Sequence, residues 1–141
     1  TDGEITQGLS FCGTSLTSAP GVWHTFVGTG NPVVAGLCNS SYDTKIGVFT
    51  GDCTAISCVT GTDDGGCSFS LQSEVEFQTV SGETYYVYVT GFATSAGAYT
   101  LDITCAGPPD VIPACEAALN IDCNRNWFLK KNRRVCKKKQ R

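Results

Sequence analysis

Seven short runs between Gly21 and Cys105 have patterns typical of β-strands: most alternate between apolar and polar residues with a period of two, residues 22–27 are bulky on both faces, and residues 33–38 form an apolar run. The runs cover residues 22–27, 33–38, 44–50, 56–59, 74–77, 85–90 and 99–105. Turn-forming sequences such as Asp-Asp-Gly-Gly at 63–66 separate them, and no run before Cys105 is long enough for a helix of three turns. Seven short strands at this spacing predict an all-β fold, an antiparallel sandwich of two sheets.

The composition agrees with this fold class and divides the chain. The apolar share of 41% can form a core, while the 16 glycines and many Thr and Ser favour a turn-rich β domain. We expect the sandwich to occupy residues 1–105. Residues 106–141 form a C-terminal extension, with a Pro-containing linker, a Cys-containing segment that is strand-like or a short helix, and a basic tail. No apolar run approaches the roughly 18 residues of a membrane span.

Nine cysteines in so short a chain favour disulfides in a secreted or cell-surface protein. Zinc is a poor alternative, because there are no CxxC pairs and only one histidine. Cys53 and Cys58 close a small loop, and we predict that they pair with each other. The partners of the other seven stay open: Cys12, Cys38, Cys67, Cys105, Cys115, Cys123 and Cys136. The odd count leaves one thiol free or bonded to another chain, and an Asn-Ser-Ser sequon predicts glycosylation at Asn39.

Charge is segregated along the chain. Residues 1–124 contain all 13 acidic residues and one basic residue, Lys45, a net charge of −12. Residues 125–141 contain the other nine basic residues and no acid. A basic tail with Trp127 and Phe128 suits nucleic acid, an anionic polysaccharide or an acidic protein surface, unless it is simply solvated. The acidic body and the oxidising compartment argue against nucleic acid, and the body of an identical neighbour is a suitable acidic surface.

An ordered series of motifs resembles a known family. It comprises DTKIGVFTGDC at 43–53, DDGGC at 63–67, VEF at 75–77, GETYYVYVTGF at 82–92 and GAYTL at 97–101, with PGVWHTF upstream at 20–26. Over roughly residues 8–105 the chain is similar to the bacterial pre-peptidase C-terminal domain and its cysteine-rich relatives in large secreted proteins. The resemblance implies a jelly-roll-like sandwich that serves as a non-catalytic accessory of secreted enzymes or as a module of surface and adhesive proteins.

The segment PACEAALNIDC at 113–123 departs from the order of elements in that family. The relatives have a segment of the form ACxxAxxIxCG ahead of the position where this chain begins, whereas here the similar stretch follows the sandwich. We therefore predict that residues 114–123 complete a sandwich, either their own or that of a neighbouring molecule. The residues expected to take part in assembly are Cys115, Leu119, Ile121, Cys123, Trp127 and Phe128.

The sequence predicts no catalytic site, since the only histidine, His24, lies in an apolar strand and no nucleophile motif accompanies it. Calcium is the candidate cofactor. Asp43, Asp63 and Asp64 lie where strands begin or end and could converge, and calcium takes six to eight oxygen ligands. The alternative is that these acids cap turns through Asx hydrogen bonds. The tyrosines near 85–99 suit core packing better than a sugar-stacking platform.

Two functions follow from these patterns. The first is a non-catalytic extracellular structural or adhesive subunit, assembled head to tail into a surface filament by exchange of a strand or tail. The second is an accessory calcium- or carbohydrate-binding module of a larger secreted protein. The expected partners are copies of itself, other extracellular proteins or glycans.

Overall fold

A computed structural model of the chain describes residues 10–17, 19–52, 54–68, 71–107, 115, 117, 120–122, 127–130 and 133–138, the last three ranges by their backbone alone. Twelve strands are described: β1 (Phe11–Cys12), β2 (Thr14–Ser15), β3 (Val22–Val27), β4 (Pro32–Gly36), β5 (Thr44–Asp52), β6 (Ala55–Thr62), β7 (Glu74–Gln78), β8 (Thr84–Gly91), β9 (Tyr99–Cys105), β10 (Asn120–Asp122), β11 (Trp127–Lys130) and β12 (Arg133–Lys138). No helix among the described residues is long and apolar enough to cross a membrane.

The strands form two five-stranded antiparallel sheets and the small pair β1–β2. The front sheet has the order β10-β3-β8-β5-β6, and the back sheet has the order β11-β12-β9-β4-β7. The seven runs correspond to β3 to β9. The predicted all-β fold with two antiparallel sheets is therefore confirmed.

The main core lies between the two sheets and is built by the inward-facing residues of the alternating strands. Phe26, Phe77 and Tyr85 form its aromatic part, with ring centroids 5.4 to 6.2 Å apart. His24 of the front sheet is 5% exposed and its Nε2 lies 2.8 Å from the hydroxyl of Tyr99 in the back sheet. The only histidine thus joins the two sheets inside the core.

The N-terminal segment covers part of the outer face of the front sheet. Leu16 is fully buried there against Phe49 and Tyr88, with Trp23 packed at the margin. The backbone of β1 lies directly on β6, because a Cβ on Gly61 would lie 2.0 Å from the carbonyl oxygen of Cys12. A glycine in β6 is required for this approach of two backbones.

Three disulfides are described, and one of them corrects a sequence prediction. Cys58 pairs with Cys12 across 46 residues, so the predicted Cys53–Cys58 bridge is wrong. In the β5–β6 hairpin Cys58 lies opposite Phe49, and the residues that pair across a sheet share a face. That face is the outer one, where β1 crosses and presents Cys12. Cys53 lies outside the described residues.

The other two disulfides tie loops to the sheets. Cys38 bonds to Cys67 and Cys105 bonds to Cys115. Cys115 is 1% exposed and its Sγ lies 3.1 Å from Oγ1 of Thr29. The start of the C-terminal extension is therefore anchored on its own sandwich.

Strands from the C-terminal extension lie at one edge of each sheet. β10 pairs with β3 in the front sheet, with Ile121 opposite Phe26. β12 pairs with β9 in the back sheet, and β11 pairs with β12. Cys115 and Ala117 have helical backbone geometry, and β10 begins at Asn120. This strand completes the sheet of its own chain.

Candidate metal centre

The pairing of β5 with β6 brings two acidic turns to one end of the front sheet. Because the strands are antiparallel, the first residues of β5 lie beside the last residues of β6, with Ile46 opposite Thr62. Asp43 directly precedes β5, and Asp63 and Asp64 directly follow β6. Residues 20 positions apart in the sequence therefore meet at one end of the hairpin.

The three carboxylates form one cluster. One oxygen from each of Asp43, Asp63 and Asp64 lies within 4.8 Å of the others. Calcium binds oxygen at 2.3–2.6 Å, so the ligands around one calcium ion lie at most about 5 Å apart. Oxygens within this distance of one another could contact a single calcium ion.

Two oxygens of this cluster are buried without a hydrogen bond. Within the described part of the chain, Oδ1 of Asp43 and Oδ1 of Asp63 have no partner. The side-chain oxygen of Gln72 is also buried and unpaired, while its Nε2 lies 3.4 Å from the carbonyl oxygen of Tyr42, next to Asp43. Buried oxygens without partners are unfavourable, and a bound cation would satisfy them.

Lys45 supplies the one positive charge described beside the cluster. It is 5% exposed, and its Nζ lies 3.5 Å from Oδ2 of Asp63. The same ammonium donates to the carbonyl oxygen of Ser15 at 3.0 Å and lies 4.9 Å from the ring centroid of Phe92. Lys45 therefore engages one oxygen of Asp63 and leaves the other free for the cluster. Three carboxylates against one ammonium leave two negative charges, which a divalent ion would neutralise.

Ser73 holds the second acidic turn against β5. The hydroxyl of this fully buried serine lies within hydrogen-bond distance of the carbonyl oxygens of Asp63 and Thr44, and its single proton is available to either of them. The backbone amide of Ser73 donates to Oγ1 of Thr44 at 3.0 Å. Gly65 and Gly66 then reverse the chain with φ values of 104° and 83°, which other residues adopt only with strain. The position of Asp63 is thus set by a buried hydrogen-bond network.

The cluster raises the pKa of Asp43 above its ordinary value of 3.8. Burial is the main cause, repulsion by Asp63 and Asp64 adds to it, and Lys45 acts in the opposite direction. A bound cation would favour the charged form of Asp43 and so oppose the effects of burial and of the neighbouring carboxylates.

Turn capping, the alternative role predicted for the acidic residues of the cluster, is instead found at Asp52. Asp52 accepts hydrogen bonds at Oδ1 from the amides of Thr54 and Ala55, at 2.8 and 3.0 Å, and from the hydroxyl of Thr54 at 2.6 Å. These bonds lower the pKa of Asp52. Oδ1 of Asp43 and Oδ1 of Asp63 accept no such bond among the described residues. The cluster is therefore not explained by the usual role of aspartate in turns.

A second group of potential ligands is closed to metal. Cys38, Cys67 and Glu74 come together beside β7, but the two sulfurs form a disulfide and offer no thiolate.

The structure places the remaining predicted sites on or within the sandwich. Asn39 is exposed in the turn after β4, where an oligosaccharide could be attached, and its Nδ2 donates to Oδ2 of Asp102 at 3.2 Å. Of the residues expected to take part in assembly, Cys115 is bonded to Cys105, Ile121 lies in β10, and Trp127 and Phe128 lie in β11. Cys136 lies in β12, and Leu119 and Cys123 lie outside the described residues.

The tyrosines of β8 and β9 mostly pack inside the protein. Tyr85 and Tyr99 belong to the main core, and Tyr88 is 1% exposed beneath the N-terminal segment. Their burial agrees with the core packing that the sequence favoured over a sugar-stacking platform.

Sequence reasoning missed the residues that surround the acidic cluster. Lys45, Gln72 and Ser73 lie next to or between the acidic turns, but only Lys45 carries a signal in the sequence. It is the one basic residue among the first 124. A single cation in so acidic a segment indicates a buried counter-charge.

Comparison with protein-family models found no match, and comparisons with curated proteins and with solved structures found none either. The resemblance to the pre-peptidase C-terminal domain therefore stays a prediction.

Proposed function

We propose that this chain is a non-catalytic extracellular module that binds one calcium ion through Asp43, Asp63 and Asp64. The observation that carries the proposal is the meeting of three carboxylates, two of which have a buried oxygen that forms no hydrogen bond within the described part of the chain. Disulfides within so small a domain are compatible with an extracellular location, where millimolar-range sites are occupied.

The role proposed for the ion is to fasten two turns of the front sheet. Asp43 belongs to the turn that enters β5, and its carbonyl oxygen accepts the amide of Phe92 at 3.0 Å, just after β8. Asp63 and Asp64 belong to the turn that leaves β6. An ion between them would link the ends of three neighbouring strands and replace carboxylate repulsion with attraction.

The surroundings of His24 support a non-catalytic role. A general base must reach the proton that it removes, and this imidazole is buried between the sheets beside Tyr99. The acidic cluster provides oxygen ligands and one buried lysine, a set suited to holding a cation.

Calcium titration by calorimetry tests the proposal. Protein stripped with EDTA should bind one calcium ion and bind magnesium more weakly. Asp64→Asn should weaken calcium binding at least tenfold, because it removes the charge of one carboxylate ligand. Asp64 is the exposed member of the cluster, so this substitution should disturb the fold least. Glu76→Gln is the matched control, since it removes one charge from an exposed position of β7. Absence of calcium binding at millimolar concentration, or equal affinity in Asp64→Asn, would overturn the proposal.

A structural subunit that assembles with its own copies is the second candidate, and the cysteine count favours it. Three disulfides use six of the nine cysteines and leave Cys53, Cys123 and Cys136. Since three is odd, at least one of them has no disulfide partner within these 141 residues. In this candidate that cysteine forms a bridge between chains.

Non-reducing electrophoresis and light scattering test the second candidate. It predicts covalent multimers that disappear on reduction and on replacement of all three remaining cysteines by serine. A single monomeric species without reductant at micromolar concentrations would exclude this candidate and leave the calcium proposal standing.

A further inference from the structure

Basic residues are concentrated at one edge of the back sheet. The basic hairpin is defined as the paired strands β11 and β12, and its five basic residues are Lys130, Arg133, Arg134, Lys137 and Lys138. β12 lies beside β9 and β11 is the outermost strand, so the charged segment lies along an edge of the sheet.

The hairpin spaces its basic residues in a line. A strand rises about 3.3 Å per residue, so the six residues of β12 extend about 20 Å. Alternate residues of a strand belong to opposite faces. One alternating row contains Arg133 and Lys137, and the other contains Arg134 and Lys138. Each row therefore has two basic positions about 13 Å apart.

The neighbouring strand supplies little compensating charge. The five residues of β9 in register with β12 include a single acid, Asp102, which lies opposite Val135. Within the hairpin, Lys130 is directly opposite Arg133. Like charges opposite one another destabilise a strand pair, and a bound anion would remove this repulsion.

We propose that the basic hairpin binds an anionic polysaccharide. A linear polyanion can follow the line of basic positions along the sheet edge without covering the acidic body. The choice of a polysaccharide over nucleic acid follows from the extracellular location in the proposed function, because disulfides persist in oxidising compartments.

Binding to dextran sulfate tests the proposal, with uncharged dextran and oligothymidylate as comparison ligands. The full chain in EDTA should bind dextran sulfate at 50 mM salt, more weakly at 200 mM, and should not bind dextran. Because EDTA removes calcium, dextran sulfate binding is measured independently of the proposed calcium site. Failure of one proposal therefore does not imply failure of the other. Tighter binding to oligothymidylate than to dextran sulfate would overturn the proposal in favour of a nucleic-acid site.

Two variants of β12 locate the site. Replacement of Arg134, Lys137 and Lys138 by glutamine should weaken binding at least tenfold and reduce its dependence on salt. The charge-preserving control, Arg133→Lys with Arg134→Lys, should keep most of the affinity while changing the same strand. Equal binding by the glutamine variant, or a loss as large in the lysine control, would contradict a site made by the charge of the hairpin.

Discussion

The two ends of strand β5 each have an aspartate, and their environments are opposite. Asp52, at the hairpin end, accepts three hydrogen bonds from Thr54 and Ala55, which lower its pKa. Asp43, at the other end, has a buried oxygen that accepts no hydrogen bond from the described residues, and its pKa is raised by burial and by two neighbouring carboxylates. The same residue type therefore serves two purposes. Where backbone amides converge, the carboxylate completes a turn, and where carboxylates converge, it is suited to a cation.

The largest expected effect comes from removing the disulfide that holds the acidic turn. Cys38→Ser with Cys67→Ser should lower the free energy of unfolding by about 3.5 kcal/mol, because the bridge closes a 29-residue loop. Calcium affinity should fall as well, since Cys67 follows closely on Asp63 and Asp64. Denaturant unfolding and calcium titration measure the two effects, and hydrogen exchange should show Thr54 and Ala55 unchanged. An unchanged calcium affinity would show that this disulfide does not organise the site.

Replacement of Ser73, which lies at the Asp43 end of β5, should lower the free energy of unfolding by less than loss of the disulfide does. Ser73→Ala removes a fully buried hydroxyl whose proton is shared between the carbonyl oxygens of Thr44 and Asp63. Leaving such groups unpaired costs about 1–3 kcal/mol. Denaturant unfolding should show this loss together with weaker calcium binding. The exposed serine of β2, Ser15, provides the control, because Ser15→Ala retains the backbone carbonyl that Lys45 uses.

Neutralising the two aspartates should change stability in opposite directions in calcium-free protein. Asp43→Asn removes repulsion from Asp63 and Asp64 and should stabilise the fold, whereas Asp52→Asn weakens three hydrogen bonds and should destabilise it. Thermal unfolding in EDTA compares them. A loss of stability in both variants would show that Asp43 is not under electrostatic repulsion.

The smallest effect is on the pH dependence of stability. The folded state holds the proton of Asp43 more tightly than the unfolded chain, so this residue should lower stability as the pH rises from 3.8 through its raised pKa. Asp52 has the reverse sign, and its contribution is lost as the pH falls below 3.8 through its lowered pKa. Acid titration of stability in wild type, Asp43→Asn and Asp52→Asn separates the two. Identical profiles would contradict the comparison.

The sequence predicted the strands well because period-two alternation depends on local burial. All seven expected strands are present, and the inward residues Tyr85 and Tyr99 are in the core. The acidic residues of the cluster were also identified, since their places at strand ends follow from the same pattern. Their meeting required the pairing of β5 with β6.

Features that depend on distant segments could not be predicted. Cys58 bonds to Cys12 because β1 crosses the outer face of the front sheet, and β1 is too short to show alternation. The local loop from Cys53 to Cys58 suggested the wrong bridge. Ser73 likewise acts through contacts with Thr44 and Asp63, which lie 29 and 10 residues away.

The most direct test of the account is the stability of wild type and Asp43→Asn, measured with and without calcium. Binding to the folded state should raise the free energy of unfolding of wild type by about 2.7 kcal/mol at a calcium concentration 100 times the dissociation constant. Asp43→Asn should be the more stable protein in EDTA and the less stable one in saturating calcium. The account is contradicted if calcium stabilises neither protein, or if it stabilises both equally.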